Sequence, residues 1–177
     1  MLDKIVKRLF VFLILMQPLT VFAHAGFMPK EAEIGSYHRA AIKIGHSCQG
    51  APTVKIIIDI PESVRMAKPM PKSGWQIEIV KETLAEPYDS HGKLIKEDVR
   101  QLIWHSGNLP DDYYDEFVFH MKLPMTPGKL YFPVRQICTE GENYWHEIPK
   151  EDTGHHGHHY SYPAPVLELI QTTSESK

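Results

Sequence analysis

Thr53-Val-Lys-Ile-Ile-Ile-Asp-Ile60 is the stretch that decides the fold. Val54, Ile56, Ile58 and Ile60 fall on one side of an extended chain, and Lys55, Ile57 and Asp59 on the other. That period of two, in β-branched residues, is the pattern of a strand with one face in a core. Pro61 ends it. The same alternation returns in Asp115 to Leu123, where Phe117, Phe119, Met121 and Leu123 share a face opposite Glu116, Val118 and His120. Further strands are expected over Tyr37 to Ile44, Trp75 to Lys81, Asp98 to His105, Tyr144 to Ile148 and Pro165 to Thr172. Lys129 to Cys138 reads as one strand interrupted by Pro133, hence an edge or a bulge. Turn formers separate these runs: Lys68-Pro-Met-Pro-Lys-Ser-Gly-Trp75, Ser106-Gly-Asn-Leu-Pro-Asp-Asp112, and Pro124, Pro127 and Gly128. The polar stretch Glu82 to Lys96 reads as a loop or a ragged hairpin. No segment keeps helical periodicity over three turns, so the expected class is all-β, an antiparallel β-sandwich of eight or so strands.

Ahead of this pattern lie a basic start (Lys4, Lys7, Arg8), an apolar run from Leu9 to Met16, Pro18, and the small residues Val21 and Ala23. This is the grammar of a secretory signal peptide over residues 1–23, with an apolar core too short to span a bilayer. Residues 24–172 then form one domain and 173–177 a polar tail. Cleavage after Ala23 makes His24 the first residue. Ala23-His24-Ala25 is itself an A-x-A site, and cleavage after Ala25 would discard that histidine. The formal net charge is −3, and the leader contributes Lys4, Lys7 and Arg8 against Asp3, so the processed chain is more acidic still. An acidic average without a basic block argues against nucleic acid and against anchoring on anionic lipid. No later apolar run reaches membrane length, which points to a soluble product in the periplasm or outside the cell.

A first-position histidine has a chemistry no internal one has. Its free amine and its Nδ1 can close a six-membered chelate around one metal ion, and tetragonal nitrogen and oxygen donors suit Cu(II). A third donor is needed; Glu116 is the candidate, with Glu33, Glu78 and Glu147 as alternatives. Trp75, Trp104 and Trp145 are core or turn-packing residues by default. An indole over copper would instead favour Cu(I), and Trp145, in Tyr144-Trp145-His146-Glu147, is best placed for it. His155, His156, His158 and His159 form a second, weaker metal-binding loop or a solvated one. His38, His46, His91, His105 and His120 are scattered and read as surface or locally hydrogen-bonded. Cys48 and Cys138 are expected to pair as a disulfide in an oxidising compartment; the rival reading is a pair of Cu(I) thiolates. Catalytic signatures such as G-x-S-x-G, HExxH or a phosphate loop are absent, so no enzyme is indicated. An oxygen-activating copper site would need a second histidine, for which His38, His46, His105 and His146 are equal candidates.

His24, His46-Ser-Cys48, Pro52-Thr53, Ile60-Pro61-Glu62, Lys68 to Trp75, Leu109-Pro-Asp-Asp112, Asp115-Glu-Phe-Val-Phe119, Leu130-Tyr-Phe-Pro-Val134 and Tyr144-Trp145, in that order, resemble the YcnI-like family, DUF1775. The resemblance implies a cupredoxin-like or immunoglobulin-like sandwich holding one Cu(II) through a single-histidine brace, a glutamate and a nearby tryptophan. Carried to this chain these are His24, Glu116 and Trp145. Some relatives carry a membrane helix after the domain, which is not seen here, and the histidine-rich loop is outside the family motif. The reading is an exported copper chaperone or acquisition factor, with a membrane copper transporter or an oxidase-assembly chaperone as its partner. A copper-dependent oxidative enzyme, or a solute-binding or adhesion module with incidental histidines, are the alternatives.

Overall fold

The computed structural model describes residues 25–149 and 160–171. Its strands are β1 (Gly26–Met28), β2 (Glu31–Glu33), β3 (Tyr37–Ile44), β4 (Thr53–Asp59), β5 (Arg65–Pro69) and β6 (Gln76–Ser90), then β7 (Lys93–Leu109), β8 (Asp115–Lys122), β9 (Gly128–Tyr131), β10 (Val134–Cys138), β11 (Glu142–Trp145) and β12 (Val166–Ile170). Two sheets form the layers, ordered β1-β3-β8-β5 and β11-β10-β4-β7-β6, and a small third sheet, β2-β12-β9, closes one side. The described residues contain no helix long and apolar enough to cross a membrane.

The alternation that opened the sequence reading sets the packing. Ile56 and Ile58 are fully buried, as are Phe117 and Met121 from the facing sheet, with Trp104 between the layers. Trp104 and Phe117 meet edge to face at 5.6 Å, a favoured aromatic geometry. Val54 departs from the expected pattern. The β4–β7 register slips between Thr53 and Lys55, so Thr53 turns inward and Val54 is only half-buried. Cys48 and Cys138 form a disulfide with a Cα–Cα distance of 6.0 Å, closing a separation of 90 residues.

Of the two readings of Glu82 to Lys96 the hairpin holds: β6 and β7 run through it, turned by His91 and Gly92 at φ 53° and 78°. Two successive positive φ values match the right-handed twist of paired strands, so charge composition did not prevent pairing. Other expectations are corrected. Lys68 to Trp75 is not all turn, because Arg65–Pro69 is β5, paired to β8 past an irregular Met66. Lys129 to Cys138 is two strands in two sheets, with Phe132 and Pro133 as the crossing. There the Phe132 N–H donates to Pro165 O at 2.8 Å, and the Asp59 N–H to Pro133 O at 2.9 Å.

Asp98 ties the hairpin arm to β5. It is 5 % exposed and accepts the Met66 N–H at 3.0 Å, its neighbour Val99 N–H at 2.8 Å and the Tyr88 hydroxyl at 2.7 Å. Burial, and then the Asp98 carboxylate, hold the Tyr88 phenol above its usual pKa range. At the opposite end of β6 and β7 from their hairpin tip, Trp75 lies over Gly107 and edge-on to Phe117 at 5.0 Å. A Cβ on Gly107 would collide with the indole. Gly107→Ala is therefore expected to push Trp75 into solvent at a cost of about 1–3 kcal/mol. Urea unfolding followed by tryptophan emission checks both the loss and the red shift.

Candidate functional site

The edge strands β1 and β11 lie on the same side of the sandwich, where the described chain begins. β1 is antiparallel to β3, with Gly26 opposite Lys43 and Phe27 opposite Ile42. Moving back along β1 toward the amino terminus is thus moving forward along β3, toward Ile44, Gly45 and His46. Ala25, the first described residue, is 6 % exposed and belongs to the core. His24 is bonded to it, one Cα step of about 3.8 Å away, and itself lies outside the described residues.

His46 sits exposed on a turn that is fixed from beneath. The fully buried Gln136 donates through Nε2 to His46 O at 2.7 Å and to the Thr53 hydroxyl at 2.6 Å. Asn143 Nδ2 donates to Gln136 Oε1 at 3.0 Å. One residue on, the Ser47 N–H and hydroxyl both donate to Asp111 Oδ1, at 2.9 and 2.7 Å, and Cys48 is held by its disulfide. Those two Ser47 hydrogen bonds, and the nearby His46 ring, hold the Asp111 carboxyl below its usual pKa. A depressed folded-state pKa means that the clamp is complete above the unfolded carboxyl value and lost only as pH falls through the depressed one.

Trp145 reaches the same edge from inside. It is 4 % exposed, opposite Val134, and packs in the core. Two residues later Glu147 is bridged to Pro163: its carbonyl accepts the Ala164 N–H at 2.9 Å and its carboxylate the Tyr162 N–H at 2.5 Å. Pro163, Ala164 and Pro165 line one hollow together with Ala25, Gly26 and Phe27. The segment that carries His155, His156, His158 and His159 lies outside the described residues, but the chain leaves and re-enters on either side of this Glu147–Pro163 bridge.

Glu116 is placed differently. It pairs with Lys43, which pairs with Gly26, so the three share one cross-strand row on the outer face of their sheet. Two strand spacings, about 10 Å, separate its backbone from that of Gly26. Glu116 and Trp145 therefore do not share a face: one projects outward from the first sheet, the other inward from the second. The alternatives Glu33 and Glu78 lie on β2 and β6, away from this edge strand pair. Among the described residues no three His, Cys, Asp or Glu side chains gather into a metal cage. Of the scattered histidines, His105 bonds Ser106 at 2.9 Å and His146 bonds Tyr144 O at 2.8 Å. His38 is half-buried, and its Nε2 has no hydrogen-bond partner among the described residues; burial, then the charge of His120, lowers its pKa. What the sequence left equal, the register separates: His46 is the histidine at the end of the strand that pairs with β1. Its signal was the compact His46-Ser-Cys48 triplet; Gln136 and Thr53 beneath it gave none.

These layers define an immunoglobulin-like β-sandwich. The chain belongs to the family described as domain of unknown function DUF1775, whose model matches residues 24–169. It is similar to an uncharacterised protein from Nocardia farcinica described as having an immunoglobulin-like fold, with 21 % identity, 84 % of this chain and 98 % of that one covered, and a TM-score of 0.61. A putative membrane anchored protein from Corynebacterium diphtheriae is more distant, at 14 % identity over 91 % of this chain and 39 % of that one, with a TM-score of 0.36. No curated protein matches the chain.

Proposed function

We propose that this is an exported copper-binding protein that captures one Cu(II) at its processed amino terminus and hands it on. The observation that supports this reading is the register at one edge: β1 runs back toward the end of β3 that leads into His46, and Pro163, at the Glu147 bridge, lines one hollow with Ala25. His24 supplies amine and Nδ1, and His46 is the third donor that placement favours; Glu116 is the alternative. Imidazole and amine nitrogens with one further donor suit Cu(II) better than calcium or magnesium. Trp145 belongs to the wall behind the site. The disulfide fits an oxidising compartment, and the signal-peptide grammar of residues 1–23 supports export. Delivery would be to a membrane copper transporter or an oxidase-assembly chaperone.

Intact mass of the exported protein, followed by Cu(II) titration under electron paramagnetic resonance, tests this. A mass beginning at His24 and one equivalent of nitrogen-ligated Cu(II) are expected. A product starting at Gly26, or one that binds no copper, rejects the proposal. Because His46 offers a second imidazole, a copper-dependent oxidative enzyme is the second reading; sustained peroxide formation under ascorbate would favour it.

A further inference from the structure

The chain as a whole is acidic, at a formal −3, yet one broad face is not. On the outer side of β1-β3-β8-β5 the outward positions alternate with the buried Ile42, Phe117 and Phe119. They carry the cations Arg39, Lys43, Lys68 and Lys122, with Arg65 opposite Lys122 but stacked on the Tyr88 ring at 4.1 Å, and Glu116 is the one carboxylate among the outward positions of these four strands. Two of the cations are held over aromatic rings: Lys43 Nζ is 4.8 Å from the Tyr114 centroid, and Lys122 Nζ is 4.4 Å from that of Tyr37. The middle of the face is apolar. Met28 pairs with Ala41, Ala41 with Val118, and the Met70 N–H donates to Val118 O, making one row across all four strands. Ala41 and Val118 are covered, while Met28 and Met70 stand 47 % and 48 % exposed at the two ends, with Tyr37 at 55 % nearby.

We propose that this face docks on an anionic lipid bilayer. A four-stranded sheet face is broad and shallow, the shape of a membrane surface rather than of a peptide groove. Three hollows among the described residues are lined mainly by the β6–β7 arm and by the amino-terminal edge. Each Lys or Arg held near an anionic leaflet contributes about 1 kcal/mol, and one plane lets all four act together. The methionines and Tyr37, an apolar body with a polar tip, suit the headgroup boundary. The proposal goes beyond copper binding and does not depend on it. It would hold the copper edge close to a membrane, since Gly26 and Glu116 form the row next to Met28 and Val118.

Co-sedimentation with vesicles of phosphatidylcholine alone, or with about three-tenths phosphatidylglycerol, tests it at about 0.05 M and about 0.5 M NaCl, where the screening length falls roughly threefold. Binding is expected to the anionic vesicles only, and to weaken more than about tenfold at the higher salt. Arg39→Glu/Lys68→Glu is expected to lose at least about tenfold, whereas Lys93→Glu/Lys96→Glu on the exposed arm should lose far less. If the first pair unfolds the protein, as circular dichroism will show, Arg39→Gln/Lys68→Gln and Met28→Ser/Met70→Ser replace it. Absent or salt-insensitive binding, or equal loss in both charge-reversal pairs, overturns the proposal. So does capture on polyglutamate with anionic vesicles left unbound, which would assign the face to an acidic polypeptide.

Discussion

His24→Ala is expected to weaken Cu(II) binding on the order of a hundredfold, equivalent to about 2.7 kcal/mol. The substitution keeps a free amine and the small residues that a signal peptidase reads. It removes the imidazole, so the amine and Nδ1 can no longer close a six-membered ring on the metal. Folding should not change, because the nearest described residue, Ala25, keeps its place in the core. His46→Ala should do less damage, since it removes one donor and leaves the chelate. Competition titration against a chelator of known affinity, with the histidine-rich segment deleted to remove background binding, measures both. Unchanged affinity in His24→Ala would reject the amino-terminal site; unchanged affinity in His46→Ala alone would return the third position to Glu116.

The second large effect is on stability. Cys48→Ala/Cys138→Ala is expected to cost about 4 kcal/mol, because the bridge closes a loop of 90 residues in the unfolded chain. For a domain of this size that is a fall of roughly 10 °C in melting temperature. The loss reaches the candidate site as well. Cys48 is two residues from His46, and Cys138 two from the buried Gln136 that holds the His46 carbonyl. Copper affinity and melting temperature should therefore fall together in this variant, while Gly92→Ala, at the positive-φ tip of the β6–β7 hairpin, lowers only the second. Differential scanning calorimetry with and without Cu(II) separates the two.

How much of this was legible beforehand depends on whether a feature is local. The run Thr53 to Ile60 and the aromatic face of Asp115 to Leu123 announced their burial, because alternation is a property of a single strand. The arm did not: β6 and β7 are largely polar where they leave the sandwich, and their pairing comes from the His91-Gly92 turn rather than from a core. β1 and β2, at three residues each, are too short to show a period and exist only because β3 and β12 accept them. The site divides the same way. Cys48 and Cys138 were readable from number and compartment, but which histidine stands beside the chain's start is a matter of register, which composition does not contain. Net charge is a sum over the surface, so it carries no record of which cations share a face.

The small sheet of β2, β12 and β9 has one more consequence. β12 lies parallel to β2, so residues 168–170 zip onto residues 31–33 and join the front of the domain to the last described strand. No partial length of chain can make that seam. Contacts this distant along the sequence slow acquisition of the native state, so a chain cut short before β12 is left with its front strand unclasped.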